Sequence, residues 1–239
     1  MALSTLLKPI SSQPSLSFKI SNIDNLFPGF ARGDFAFLYG TSTVLPLSLL
    51  LTVRAQLPFQ LGGLETNVIF IDGSNTFRLY DVSCLAQIHQ LDPKQVLERI
   101  YISRAFTAHQ LTSIILEKLK ETVEKFHSKF VIISDMPRLY LDKDVPTTEA
   151  KEVFSQLTSY LLKIAEEDQL IIIATYFRHH YSKRSIFFHE IACGRANVVI
   201  STRQSKAHKE FVLEKHPTFC PGYAKFPSEN LTLNEFMEE

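Results

Sequence analysis

Phe35-Ala36-Phe37-Leu38-Tyr39-Gly40-Thr41-Ser42-Thr43-Val44-Leu45-Pro46-Leu47-Ser48-Leu49-Leu50-Leu51 carries no charge, and the order of its residue types decides the fold. Five apolar residues, a strand's length, are followed by a glycine and three hydroxyl residues, then by a leucine-rich run that contains a proline. Proline suits the first turn of a helix, where its missing N–H has no partner to lose. The stretch therefore reads as a buried strand, a loop and a buried helix. Residues 35–53 are nineteen in a row without a charge, which is also the length of a membrane span. Gly40, the hydroxyls and Pro46 in its middle favour strand, loop and helix over a span.

Outside this stretch, 239 residues with 45% apolar content suit one large α/β domain and exclude a disordered or collagen-like chain. Lys plus Arg equals Asp plus Glu at 25 each, so contact with nucleic acid requires a local basic patch. Cys84, Cys193 and Cys220 are scattered, with no C-x-x-C pair, and read as reduced structural thiols. Residues 1–15 hold Lys8 as their one charge, and their apolar run is broken by Pro9, which is not the pattern of a secretory signal. The expected location is cytoplasmic, or nuclear in a eukaryote, with no membrane partner.

Apolar runs recur at 67–72, 130–135 and 170–175, each apolar almost throughout. Such strands are buried on both faces, as in a parallel sheet covered by helices. Residues 79–89, 109–126 and 147–167 have helical spacing. Residues 198–202 and 210–214 flank a polar turn and read as an antiparallel hairpin. The predicted fold class is α/β: a mainly parallel twisted sheet with helices on both faces and a C-terminal antiparallel hairpin.

A phosphate-binding loop reads G-x-x-x-x-G-K-[ST], with backbone N–H groups around the phosphates, the Lys on their charge and the hydroxyl on Mg²⁺. From Gly40 through Thr41, Ser42 and Thr43, this frame puts Leu45 at the second Gly, Pro46 at the Lys and Leu47 at the Thr. Three functional groups are lost in three consecutive residues.

Ile20-Ser21-Asn22-Ile23-Asp24-Asn25-Leu26 with Gly29 and Gly33, then Gln56-Leu57-Pro58 with Gly62-Gly63-Leu64, precede Ile69-Phe70-Ile71-Asp72 and Asn75-Thr76-Phe77-Arg78. Leu91-Asp92-Pro93, Val96-Leu97 and Arg104-Ala105-Phe106 follow in the same order. Together they resemble the RecA-like recombinases of the RadA type, from about Ile20 to Phe226. A KaiC-type relative is disfavoured by Asn75-Thr76-Phe77-Arg78. The resemblance implies a RecA-like P-loop NTPase core over 20–239, preceded by an extension, 1–19. It also implies that Ser74 stands where the family has the Glu that activates water, and that Asp135 matches the Asp that holds Mg²⁺. Tyr176-Phe177 replace Asn-Gln, whose Gln senses the γ-phosphate. Asp135 is expected to cap residues 136–138 rather than hold metal. Phe18-Lys19-Ile20-Ser21, the nearest approach to an F-x-x-A assembly motif, reads as an edge strand.

The resemblance places Tyr176, Phe177, Arg178, His179, His180, Tyr181, Lys183 and Arg184 at the second DNA loop. Cations and aromatics together suit single-stranded nucleic acid; the competing reading is a polar loop whose aromatics pack back on the sheet. Arg138, Tyr140, Lys143, Asp142 and Asp144 fall at the first DNA loop, where their charges nearly cancel, and read as a solvated connection. Arg203, Lys206, His208 and Lys209 form a basic run that reads as a solvated edge. His179-His180 lack partners at metal-ligand spacing, so no metal is expected. The leading expectation is a pseudo-ATPase with no catalytic residue and no bound ATP or Mg²⁺, which assists homologous recombination and DNA repair through single-stranded DNA, a RadA-type recombinase or another paralogue. Two alternatives stay open: an ATP site completed by a partner subunit, and a scaffold for proteins alone.

Overall fold

A computed structural model describes residues 15–177, 182–205 and 208–226. Among them, β1 (Phe35–Gly40), β2 (Asn67–Asp72), β3 (Ile100–Arg104), β4 (Ser128–Ser134), β5 (Ile171–Phe177), β6 (Val198–Gln204), β7 (Lys209–Lys215) and β8 (Gly222–Lys225) form one sheet in the order β3-β2-β4-β5-β1-β6-β7-β8. The six strands from β3 to β6 are parallel, and β7 and β8 continue the sheet antiparallel. The predicted α/β class, with its C-terminal hairpin, is the fold observed.

The helices are α1 (Ser21–Leu26), α2 (Val44–Arg54), α3 (Leu79–Ile88), α4 (Pro93–Glu98), α5 (Ala108–Ser113), α6 (Leu119–Lys125), α7 (Thr147–Glu167) and α8 (Lys183–Arg195). Residues of α1 to α4 pack on one face of the sheet with Phe70, Phe130 and Ile173. Residues of α5 to α8 pack on the other face with Ile69, Val131 and Ile172. Alternate residues of each central strand thus enter opposite cores, which is why these strands are apolar throughout.

Residues 18–21 are not an edge strand. Phe18 is buried, edge-on to Phe30 and Phe211 at 5.7 and 5.4 Å between ring centres, and Ser21 begins α1. Leu16 forms an isolated antiparallel bridge with Phe30, so the core takes in residues before position 20. The predicted 109–126 helix is interrupted between α5 and α6 by a π turn, Ile114–Lys118. Leu111, Ile115, Leu119 and Val123 are all buried at a spacing of four. A 3.6-residue helix would rotate them off one face by about 40° per step, and the wider turn absorbs part of that drift.

Asp34 fixes the entry to β1. Its carboxylate accepts from Ala31 N–H (2.7 Å) and Asn197 Nδ2 (3.2 Å), while Asn197 Oδ1 accepts from Phe35 N–H (2.8 Å). Burial raises its pKa from 3.8 to about 6, against the lowering by those two hydrogen bonds. A raised carboxyl pKa means that the folded state holds the proton more tightly, so its contribution to stability is greatest below about pH 4. That contribution is lost as the pH rises through about 6, on the order of 3 kcal/mol in all. Chemical denaturation from pH 4 to 7 should show this fall in the wild type, and a smaller fall by about that amount in Asp34→Asn.

Candidate functional site

The C-terminal ends of the parallel strands gather most of the residues singled out above. Gly40 ends β1 with φ 128°, and a Cβ there would lie 2.1 Å from the carbonyl oxygen of Thr202 on β6. Thr41 N–H donates to Thr202 Oγ1 (3.0 Å) and to Thr202 O (3.3 Å), and Thr41 Oγ1 lies 3.0 Å from Thr202 Oγ1. The hydroxyls of Thr41 and Thr43 are also paired, at 3.2 Å. This loop is therefore drawn against the neighbouring strand.

The helix that follows starts early. Thr43 already has helical φ and ψ, and α2 begins at Val44, which makes Pro46 its third residue. Val44 N–H donates to Thr41 O (3.1 Å), Leu45 N–H to Ser42 O (3.4 Å) and Leu47 N–H to Thr43 O (3.2 Å). Pro46 has no N–H to offer. A helix start binds anions through the unpaired N–H groups of its first turn. Here the four positions from 44 to 47 supply three N–H groups that already have acceptors, and one proline. Val44 and Leu47 are fully buried, and Leu45 packs against the same core.

Two carboxylates organise the ends of β2 and β4. Asp72 is buried and accepts from Thr76 N–H (2.9 Å), Thr76 Oγ1 (3.1 Å), Phe77 N–H (3.1 Å) and Ser74 N–H (3.4 Å). Its role as the anchor of 73–77 was not singled out in the sequence; an Asp followed by Gly, Ser and Asn is the available signal, since such residues favour local side-chain to backbone bonds. The side chain of Asp135, expected to cap residues 136–138, also reaches residues at the ends of two other strands. Oδ2 accepts from Ser74 Oγ (2.8 Å) and Oδ1 from Phe177 N–H (3.1 Å), while the backbone oxygen of Asp135 accepts from Arg138 N–H (2.9 Å). The chain turns at Asp135, with φ 50°, which directs the carboxylate toward the ends of β2 and β5.

A cleft of about 740 Å³ opens beside this pair, lined by Gly73, Ser74, Thr76, Asp135, Arg138, Leu139 and Phe177. Arg138 and Leu139 also border a second cleft of about 520 Å³, with Leu141, Asp142, Lys143, Ser182 and Ser185. The segment after Asp135 is thus more than a solvated connection. Residues Arg138–Leu141 form a 3-10 turn that buries Tyr140 against Phe154, with its hydroxyl 2.7 Å from Thr112 Oγ1, and burial pushes the phenol up to about 12. Arg138 and Lys143 stay exposed on the cleft walls.

Of the residues expected at a second DNA loop, Arg178, His179, His180 and Tyr181 lie outside the described residues. Tyr176 and Phe177 are not exposed stacking rings: β5 runs on through both, and both are buried. Continuing the apolar strand removes more ring surface from water than leaving it at residue 175 would. Lys183 is exposed in the first turn of α8, behind the Ser182 and Ser185 capping box. Arg184 is committed to structure, with Nη2 donating to Val145 O (2.9 Å) and its guanidinium 5.9 Å from the centre of the Phe188 ring.

At the β6–β7 turn, Lys206 lies outside the described residues. Arg203 is paired with Glu214 at 2.6 Å and His208 with Glu210 at 2.8 Å. Glu214 also accepts from Ser201 Oγ and Tyr39 Oη, and burial together with this carboxylate raises the pKa of Tyr39. Among the described residues there is no group of three or more His, Cys, Asp or Glu placed to hold a metal, and no helix is long and apolar enough to cross a membrane.

The parallel order of the sheet agrees with one family-level comparison. The model of the Rad51 family matches residues 22–184, from within α1 to the first turn of α8. That span holds β1 to β5 and both carboxylates, more than half of the chain. The chain belongs to the Rad51 family, within the RecA-like recombinases.

Proposed function

We propose that this Rad51-family chain is a non-catalytic paralogue that assists homologous recombination and DNA repair without Mg-ATP, by binding single-stranded DNA, the active recombinase, or both. The observation that carries the reading is the start of α2: the N–H groups of Val44, Leu45 and Leu47 already have acceptors, and Pro46 has none to give. A triphosphate there would have to unwind the first helical turn and would meet no Lys. Ser74 adds to this, because a hydroxyl bonded to Asp135 cannot act as the carboxylate base that activates water.

The DNA part is supported by cations at the ends of the parallel strands, where ligands of such sheets bind. Arg138 and Lys143 stand on the cleft walls and Lys183 at the start of α8, beside the Arg178, His179 and His180 of the sequence. The recombinase part is supported by the opposite edge of the sheet. There β3 has no further strand beside it among the described residues, and exposed Ile102 and Phe106 lie in and after it, a surface suited to strand addition.

Anisotropy of a labelled single-stranded oligonucleotide across a salt series tests the DNA part. Arg178→Ala/Lys183→Ala is the informative variant, because Arg184 holds the 145–147 segment. The expected result is binding indifferent to Mg-ATP, with the log–log salt slope shallower by about 1.4 in the variant, two phosphate contacts fewer at about 0.7 each. Absence of binding at low salt would remove DNA and leave the protein partner. Binding that requires ATP would overturn the whole reading.

A further inference from the structure

Asp72 gathers two chain segments at the C-terminal ends of β2 and β3. Its carboxylate accepts from Phe77 N–H (3.1 Å) and lies 3.9 Å from Arg104 Nε, and its backbone oxygen accepts from Ala105 N–H (3.1 Å). Arg78 follows Phe77 and Phe106 follows Ala105, so both stand at one corner of the sheet with Arg104. Leu79 and Tyr80, in the first turn of α3, lie within about 11 Å of chain beyond Phe77. Arg78, Leu79, Tyr80, Arg104 and Phe106 are all exposed. Tyr80 at 83% and Phe106 at 72% are the two most exposed large hydrophobic side chains among the described residues.

Two exposed rings on neighbouring segments mark a surface that a ligand covers. The charge of the corner decides which ligand. Residues 73–80 and 101–113 contain no Asp or Glu. Asp72 is buried beneath the corner and already accepts from Ser74, Thr76 and Phe77, while the Arg104 side chain is 48% exposed. Asp81 of α3 is half-buried, and Glu149 of α7 lies 4.0 Å from the exposed His109. Arginines beside open rings suit a single nucleic-acid strand, whose phosphates attract cations and whose unpaired bases stack. The corner is also continuous with the larger cleft: Gly73, Ser74 and Thr76, in the loop that leads from Asp72 to Arg78, line that cleft together with Arg138.

We infer that single-stranded DNA runs from the Arg138–Lys143 clefts across the 73–77 loop onto this corner, where Arg78 and Arg104 take phosphates and Tyr80 and Phe106 stack on unpaired bases. The inference rests on the DNA reading given above and extends its path to the ends of β2 and β3. Phe106 is shared with the edge of β3, so a strand-adding protein and DNA compete for it, whereas Tyr80 belongs to the corner alone.

A single-stranded oligonucleotide that carries 5-iododeoxyuridine, irradiated with the full chain and followed by peptide mass spectrometry, reads the contact directly, because this base couples to aromatic side chains on which it stacks. The expected result is adducts on Tyr80 and Phe106 at least about five-fold more frequent than on Tyr223, which is exposed on β8 at the opposite edge of the sheet. In the salt series, Tyr80→Ala should bind at least about five-fold more weakly with the slope unchanged. Arg78→Ala/Arg104→Ala should instead make the slope shallower by about 1.4. Tyr80→Ala removes an exposed ring and none of the bonds to Asp72, so it reads contact rather than folding. Wild-type affinity in Tyr80→Ala, or adducts confined to rings outside the corner, would overturn the inference, leave the DNA reading standing and assign the corner to a protein. Absence of binding to the wild type at low salt would remove both.

Discussion

Gly40→Ala should be among the most destabilising single-methyl changes in this protein, lowering unfolding stability by about 2–5 kcal/mol. Two costs combine. Forcing an L-residue to positive φ costs roughly 1–2 kcal/mol, and overpacking costs about 1–3 kcal/mol more. The obstruction is backbone, since the added Cβ would lie 2.1 Å from Thr202 O and 2.9 Å from Thr202 N, so no rotamer change relieves it. The strand pair β1–β6 must part or the start of α2 must shift. Gly194→Ala is the matched control: it sits in α8 with nothing within 4 Å of the added atom, and should stabilise by up to about 1 kcal/mol. Urea midpoints for the two variants measure the difference, and a Gly40→Ala midpoint equal to that of the wild type would mean that the loop is not drawn against β6 as described.

Asp72→Ala should cost about 4 kcal/mol by the same measurement. The buried carboxylate gathers N–H groups from Thr76 and Phe77 and the Thr76 hydroxyl, all within 3.1 Å. Its loss leaves those donors without their acceptor, at about 1–3 kcal/mol for each that water does not reach. Asp72→Asn keeps one acceptor but turns the other into a donor that faces a donor, and should cost about half as much. Because 73–77 form a wall of the larger cleft and Phe77 packs edge-on to Phe70 at 5.1 Å, Asp72→Ala should also raise amide exchange through this segment before global unfolding.

The sheet was legible where burial is two-sided. β1, β2, β4 and β5 are apolar nearly throughout because helices cover both faces, and such runs stand out against any background. β3 escaped notice because it lies at the edge, with alternating exposure in only five residues, and β8 because it has four residues and begins with Gly222. α8 was hidden by its basic first turn, which reads as loop, and by a capping box built from two serines rather than from Ser and Glu. Arg138 and Lys143 were discounted because Asp142 and Asp144 balance them in a charge sum. A sum along the chain is blind to a 3-10 turn that buries Tyr140 and leaves Arg138 on the cleft wall. That Pro46 and two leucines stand where a phosphate-binding loop has Lys, Gly and Thr, by contrast, is read without coordinates. What the fold adds is where the remaining N–H groups go.

Calorimetric titration of the full chain with Mg-ATP up to millimolar concentration tests that point most directly. The account predicts no saturable heat and a Kd no tighter than about 1 mM, worth less than about 4.1 kcal/mol of binding. It also predicts no rise in unfolding midpoint at 5 mM nucleotide, where a Kd of 50 μM would have added about 2.7 kcal/mol of stability. Saturable micromolar binding that is abolished by Asp135→Ala in a still-folded protein would contradict it, because the first turn of α2 would then have opened to a triphosphate.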